Sequence, residues 1–120
     1  MNPTSFEQIA EWAGGRVLRG DRSLVATGVS SDTRSLREGD LFVALRGERF
    51  DGHSFVVQAA QQGAVAALVD SRFEAPVDLP AGFGLIEVAD TLQGLQNLAQ
   101  RYRASLSIKI VGITGSSGKT

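Results

Sequence analysis

The chain has 120 residues, 12 Lys+Arg against 13 Asp+Glu for a formal net charge of -1, and 42% hydrophobic residues. That length reads as one compact domain, able to bury roughly two-thirds of the surface its unfolded chain exposes without a disulfide or structural metal. The absence of cysteine excludes a thiol nucleophile, a redox pair and thiolate metal ligands, and a single histidine leaves a His-based zinc site without partners.

Near-neutral charge and a pI of about 5.8 argue against a nucleic-acid module held by a basic face. Met1 to Glu7 carries no basic run leading into an apolar stretch, and no window approaches the roughly 18 apolar residues of a membrane span. The expectation is a cytoplasmic protein with no membrane span.

In chain order, Phe6, Ile9, Ala10 and Ala13 fall on one helical face between Ser5 and Ala13. Thr4 and Glu7 offer a capping box at its start, and Gly14-Gly15 a left-handed stop. Arg16 to Leu18 and Leu24 to Ser30 read as short strands separated by a Gly20-Asp21 turn. Leu41 to Leu45 is an uninterrupted apolar run, the mark of a buried strand, and a polar loop from Arg46 to Gly52 follows it.

From His53 to Gln62 the pattern is helical, with Phe55, Val56, Ala59 and Ala60 inward and Gly63 as its stop. Ala64 to Val69 is the next strand, Ser71 to Gly84 a loop, and Leu85 to Val88 a further strand. Asp90 or Thr91 caps the longest helix, whose apolar face is Leu92, Leu95, Leu98, Ala99 and Tyr102. Ile108 to Ile113 is β-branched and reads as a strand. This alternation of strands and helices makes the fold class α/β.

Two groups of residues carry chemistry. The first is Thr114-Gly115-Ser116-Ser117-Gly118-Lys119-Thr120, a phosphate loop in a shorter form than the general pattern, with Ile113 where that pattern has glycine. Glycines let backbone N–H groups turn toward an anion, the lysine supplies a point charge, and the last hydroxyl can reach Mg²⁺. A Gly-Ser linker is the plainer alternative, and the preceding strand-like run speaks against it. A phosphate loop works by feeding a helix whose N-terminus completes the anion site, so a chain ending at Thr120 is expected to hold ATP poorly.

The second group is Ser30-Ser31-Asp32-Thr33-Arg34 with Arg46-Gly47-Glu48-Arg49-Phe50-Asp51-Gly52-His53. Both segments follow strands, where α/β sheets gather their ligand loops, and Arg, Ser and Thr can grip phosphate oxygens. The same residues can equally be surface ion pairs, Asp32 with Arg34 and Glu48 with Arg49, around glycine turns. His53, with no second His or Cys near it, suits a helix-start hydrogen bond better than a metal. Trp12 suits a core or interface contact. Nothing in the sequence brings Asp32 and Asp51 together as an acid–base pair.

Three segments taken in order resemble the Mur ligases, the amide ligases of peptidoglycan precursor synthesis. They are Ser31-Asp32-Thr33-Arg34 with Glu38 to Leu45, then Gly47 to Phe55 with Gln58-Ala59 and Gly63-Ala64, and Gly112 to Thr120. The resemblance implies a small N-terminal domain with a mixed sheet and flanking helices over residues 1–106. Residues 107–120 would be the first strand and phosphate loop of a truncated central ATP-binding domain.

By matching positions, Ser30, Ser31, Thr33 and Arg34 would lie near the UDP moiety of the precursor. Ala44, Gly47, Arg49, Phe50, Asp51, Gly52 and His53 would line the other side. Gly115, Ser116, Ser117, Gly118, Lys119 and Thr120 would bind ATP, with Lys119 and Thr120 as catalytic positions and Thr120 on Mg²⁺. The run Gly47 to His53 is most similar to the branch that joins D-alanyl-D-alanine to UDP-N-acetylmuramoyl-tripeptide. The branch that adds the third peptide residue, and a stand-alone binding module, are the alternatives. The resemblance implies a monomer with no nucleic-acid partner, inactive as the chain stands.

Overall fold

The computed structural model describes residues 3–21, 23–46, 51–76 and 78–114, the last ten of these by backbone alone. The chain opens with a two-residue strand, β1 (Thr4–Ser5), and passes at once into α1 (Phe6–Ala13). Ser5, not Thr4, is the N-cap: its side chain accepts the backbone N–H of Gln8 at 3.1 Å. The capping position thus lies one residue later than the Thr4/Glu7 box would put it, and both Thr4 and Ser5 also pair with a neighbouring strand. Gly14, at φ 75°, turns the chain left-handed and ends the helix as expected.

Five strands form the main sheet in the order β2, β7, β6, β5, β4. They are β2 (Arg16–Arg19), β4 (Gly28–Ser30), β5 (Asp40–Val43), β6 (Ala66–Asp70) and β7 (Gly84–Val88). β4 to β7 run parallel, and β2 closes one edge antiparallel to β7. The segment Leu24 to Ser30 is not one strand. β3 (Val25–Ala26) pairs with β1, the Thr27 N–H turns aside to the Gly39 carbonyl, and β4 joins the main sheet.

Period-two alternation along the buried strands separates two cores. Leu41, Val43, Ala66, Leu68, Ile86 and Val88 face α1 and α3 (Thr91–Thr114), where Phe6, Ile9 and Leu98 complete the packing. Phe42, Ala44, Ala67, Val69 and Leu85 face α2 (Val56–Gln61) and the connection after β6, with Val56, Ala59, Leu79 and Phe83. Each fully buried Phe, Leu or Ile contributes roughly 1.5–3 kcal/mol. Two helices on one face, and a helix with a loop on the other, make the expected α/β layering.

Three details of the helices differ from the periodicity reading. Gly52–Phe55 forms a 3-10 turn before α2, and its tighter winding leaves Phe55 exposed instead of inward. On α3 the inward residues are Thr91, Gly94, Leu95, Leu98 and Tyr102, with Leu92 and Ala99 turned out. Trp12 meets Tyr102 edge-on at 6.2 Å between α1 and α3. Finally, Ile108 to Ile113 is not a strand here: α3 continues through Thr114. A strand needs a neighbour to pair with, whereas an established helix extends by adding its own bond at each residue. Among the described residues no helix is long and apolar enough to cross a membrane.

Candidate functional site

Because β4 to β7 are parallel, their carboxyl ends lie on one side of the sheet, where open α/β sheets present ligand crevices. The loops leaving β4 and β5 there flank a cleft of about 580 Å³. It is lined by Ser31, Asp32, Thr33 and Arg34 on one side and by Gly52, Phe55 and Gln58 on the other, with Phe42 also in its lining. Two segments far apart in sequence therefore share one cavity.

The first wall is built locally. Ser30 Oγ accepts the Asp32 N–H at 3.1 Å and donates to the Asp32 carbonyl at 2.9 Å, so Ser30 shapes the turn and does not line the cleft. The Asp32 carboxylate accepts the Arg34 N–H at 2.9 Å and also takes the guanidinium through Nε and Nη2. The Arg34 side-chain and backbone bonds hold the Asp32 carboxyl below the usual range, and Asp32 raises Arg34 in return. The expected Asp32–Arg34 ion pair is thus present, and both partners also line the cleft.

The second wall is anchored from a distance. Asp51 caps the 3-10 turn: its Oδ1 accepts the His53 N–H at 3.0 Å and lies 2.7 Å from His53 Nδ1. On the other side of the ring, Nε2 accepts the buried backbone N–H of Asp70 at 3.0 Å. A backbone N–H can only donate, so Nε2 is the bare nitrogen and Nδ1–H donates to Asp51. Phe73 covers the imidazole with centroids 5.6 Å apart. His53 is therefore a structural hydrogen-bonding residue, its ring enclosed and not facing the cleft.

Arg46 ties the same group together. Its Nε and Nη2 fork onto the two oxygens of Asp70, and its Nη1 donates to Asp51 Oδ2. The Arg46 bonds, reinforced by the Arg72 N–H at 3.0 Å, outweigh burial and hold the Asp70 carboxyl at about 2. For Asp51 burial pushes upward, but the His53 bonds and the Arg46 charge leave it lowered. Asp32 bonds to Arg34 in its own wall, and Asp51 to His53 and Arg46 in the other.

Of the residues expected at the UDP moiety, Ser31, Thr33, Arg34 and Gly52 line the cleft. Ala44 is fully buried, and Asp51 and His53, on either side of Gly52, are not in the lining. Gly47, Arg49 and Phe50 lie outside the described residues, as do Gly115, Ser116, Ser117, Gly118, Lys119 and Thr120. The sequence reading does not assign Phe42, Phe55 and Gln58 to the site, nor Asp70 as the partner of Arg46, which it places among the loop residues that carry chemistry. Asp70 did leave a signal: a carboxylate ending the apolar run Ala66-Ala67-Leu68-Val69 needs a buried partner. Among the described residues no group of three or more His, Asp or Glu is placed to hold a metal ion.

Comparison with known proteins gives the family. Residues 25–103 match the family profile described as "Mur ligase family, catalytic domain". The UDP-N-acetylmuramoyl-tripeptide--D-alanyl-D-alanine ligase of Bacillus subtilis is 44% identical over the whole chain, which spans 26% of that protein. A crystal structure of MurF from Acinetobacter baumannii superposes with a TM-score of 0.70 and 32% identity, covering 88% of this chain and 22% of that one. MurF ligase from Thermotoga maritima in complex with ADP matches at a TM-score of 0.50 and 32% identity, over 61% of this chain and 16% of that one. The chain thus spans about a quarter of the length of such relatives.

Proposed function

The chain belongs to the Mur ligase family, and we propose that it is the part of a D-alanyl-D-alanine-adding ligase that holds the UDP end of UDP-N-acetylmuramoyl-tripeptide. One observation carries the reading: Ser31 to Arg34 and Gly52 to Gln58 flank a single cleft at the carboxyl edge of a parallel sheet. Arg34, Ser31 and Thr33 supply cationic and hydroxyl donors suited to diphosphate oxygens, and the exposed Phe55 ring an apolar surface suited to a base or sugar face. The likeness to the Bacillus subtilis ligase along the whole chain supports the D-alanyl-D-alanine branch.

In the whole ligase the precursor carboxylate is activated by ATP and then attacked by the dipeptide amine. Gly115, Ser116, Ser117, Gly118, Lys119 and Thr120 have the donor set of a triphosphate site, with backbone N–H groups and a lysine for phosphate and a hydroxyl for Mg²⁺. Bound ATP with Mg²⁺ would supply the activating phosphoryl group. The chain by itself binds precursor without turning it over, as a monomer, in the cytoplasm. Calorimetric titration with the UDP-muramoyl-tripeptide and with UDP alone tests this. Both are expected to bind, the precursor at least as tightly, and no heat from either ligand counts against it.

A further inference from the structure

Asp70 lies outside the cleft lining, yet among the described residues the long-range side-chain hydrogen bonds of Arg46 and His53 in the second wall are made with it. Its carboxylate takes the Arg46 fork, its backbone N–H holds His53 Nε2, and Arg46 and His53 both close on Asp51. The result is a closed ring, Asp70 to Arg46 to Asp51 to His53 and back to Asp70. Asp51 and His53 flank Gly52, whose N–H donates to the Leu45 carbonyl at 2.7 Å. Asp70 and His53 are buried, so the ring is shielded from water on its inner side.

A buried carboxylate at a strand end carries a desolvation cost that a simple fold would avoid with an apolar residue. Here that charge fixes one stretch of backbone, from Asp51 to Phe55, and this stretch presents Gly52 and Phe55 to the cleft. We infer that Asp70 is a positioning residue for nucleotide binding, setting the place of the Gly52–Phe55 wall through Arg46 and His53. The inference rests on the reading of the cleft as the UDP site.

The test uses the chain as it is, with Asp70→Asn, which keeps the shape and removes the charge. Amide exchange is followed with and without UDP. Protection of Gly52, His53 and Ser54 is expected to fall at least about tenfold while α1 and β7 keep theirs, and UDP should bind about tenfold more weakly, the scale of one lost charged hydrogen bond. Unchanged protection of the wall overturns the inference, and so does reduced protection with undiminished UDP affinity. If the wild-type chain ignores UDP, the nucleotide reading fails while the exchange data still decide whether Asp70 holds the wall. Should Asp70→Asn not fold, Arg46→Gln cuts the same ring from its more exposed side, and Arg46→Lys, which keeps the charge but loses the fork, should recover part of the affinity.

Discussion

The two walls of the cleft solve the same problem by opposite means. Beyond the β4 pairing of Ser30, the turn from Ser30 to Ser35 folds on itself, its side-chain bonds spanning at most five residues, and Arg34 and Asp32 keep 88% and 43% of their side chains exposed. Asp51 to Phe55 is fixed by Asp70 on β6, a residue whose side chain is 7% exposed. An exposed local pair contributes little to stability, while a buried network is costly to break. The first wall can therefore be altered at little cost to the fold, and the second cannot.

Gly52→Ala should break this contrast most strongly. A Cβ there would sit 2.8 Å from Leu45 N and 2.9 Å from Leu45 O, both backbone atoms with no room to give. A loss of about 3 kcal/mol in denaturant unfolding is expected, the cost of overpacking a tight site. A loss below about 0.5 kcal/mol, ordinary for a surface position, would show the second wall to be as adaptable as the first.

Acid should act next. Asp70 is held at about 2 against an ordinary 3.8, and Asp51 is lowered as well. Between these values the unfolded chain binds more protons than the folded one. The stabilisation is therefore complete above about pH 4 and is lost as pH falls toward 2, by about 2 kcal/mol from Asp70. Unfolding followed at pH 6, 4 and 2.5 should show this loss, and Asp70→Asn should flatten it. An equally steep profile in that variant would place the sensitivity elsewhere.

Arg34→Ala should change stability least, by within about 0.5 kcal/mol, yet weaken UDP binding about tenfold. This variant separates the two roles open to Arg34, since a guanidinium that served only its ion pair with Asp32 would leave affinity untouched.

Much of the frame was legible because local chemistry decided it. The apolar face of α1, the Gly14 stop and the buried run at Leu41 follow from spacing and backbone freedom alone. What escaped depended on distant partners. Leu24 to Ser30 split because Thr27 reached Gly39. Phe55 changed face because Asp51 wound the entry to α2 into a 3-10 turn. At the site, Arg34 and Gly52 were readable as loop residues after strands, whereas Asp70 drew its role from Arg46 and His53, 24 and 17 residues away.

The central claim is that both walls bind one nucleotide, and a map of amide shifts during UDP titration tests it most directly. Saturable changes should appear together at Ser31 to Arg34 and at Gly52 to Gln58, with a single dissociation constant and little movement in α1 or β2. Changes on one wall only, or centred on another face of the sheet, would contradict it.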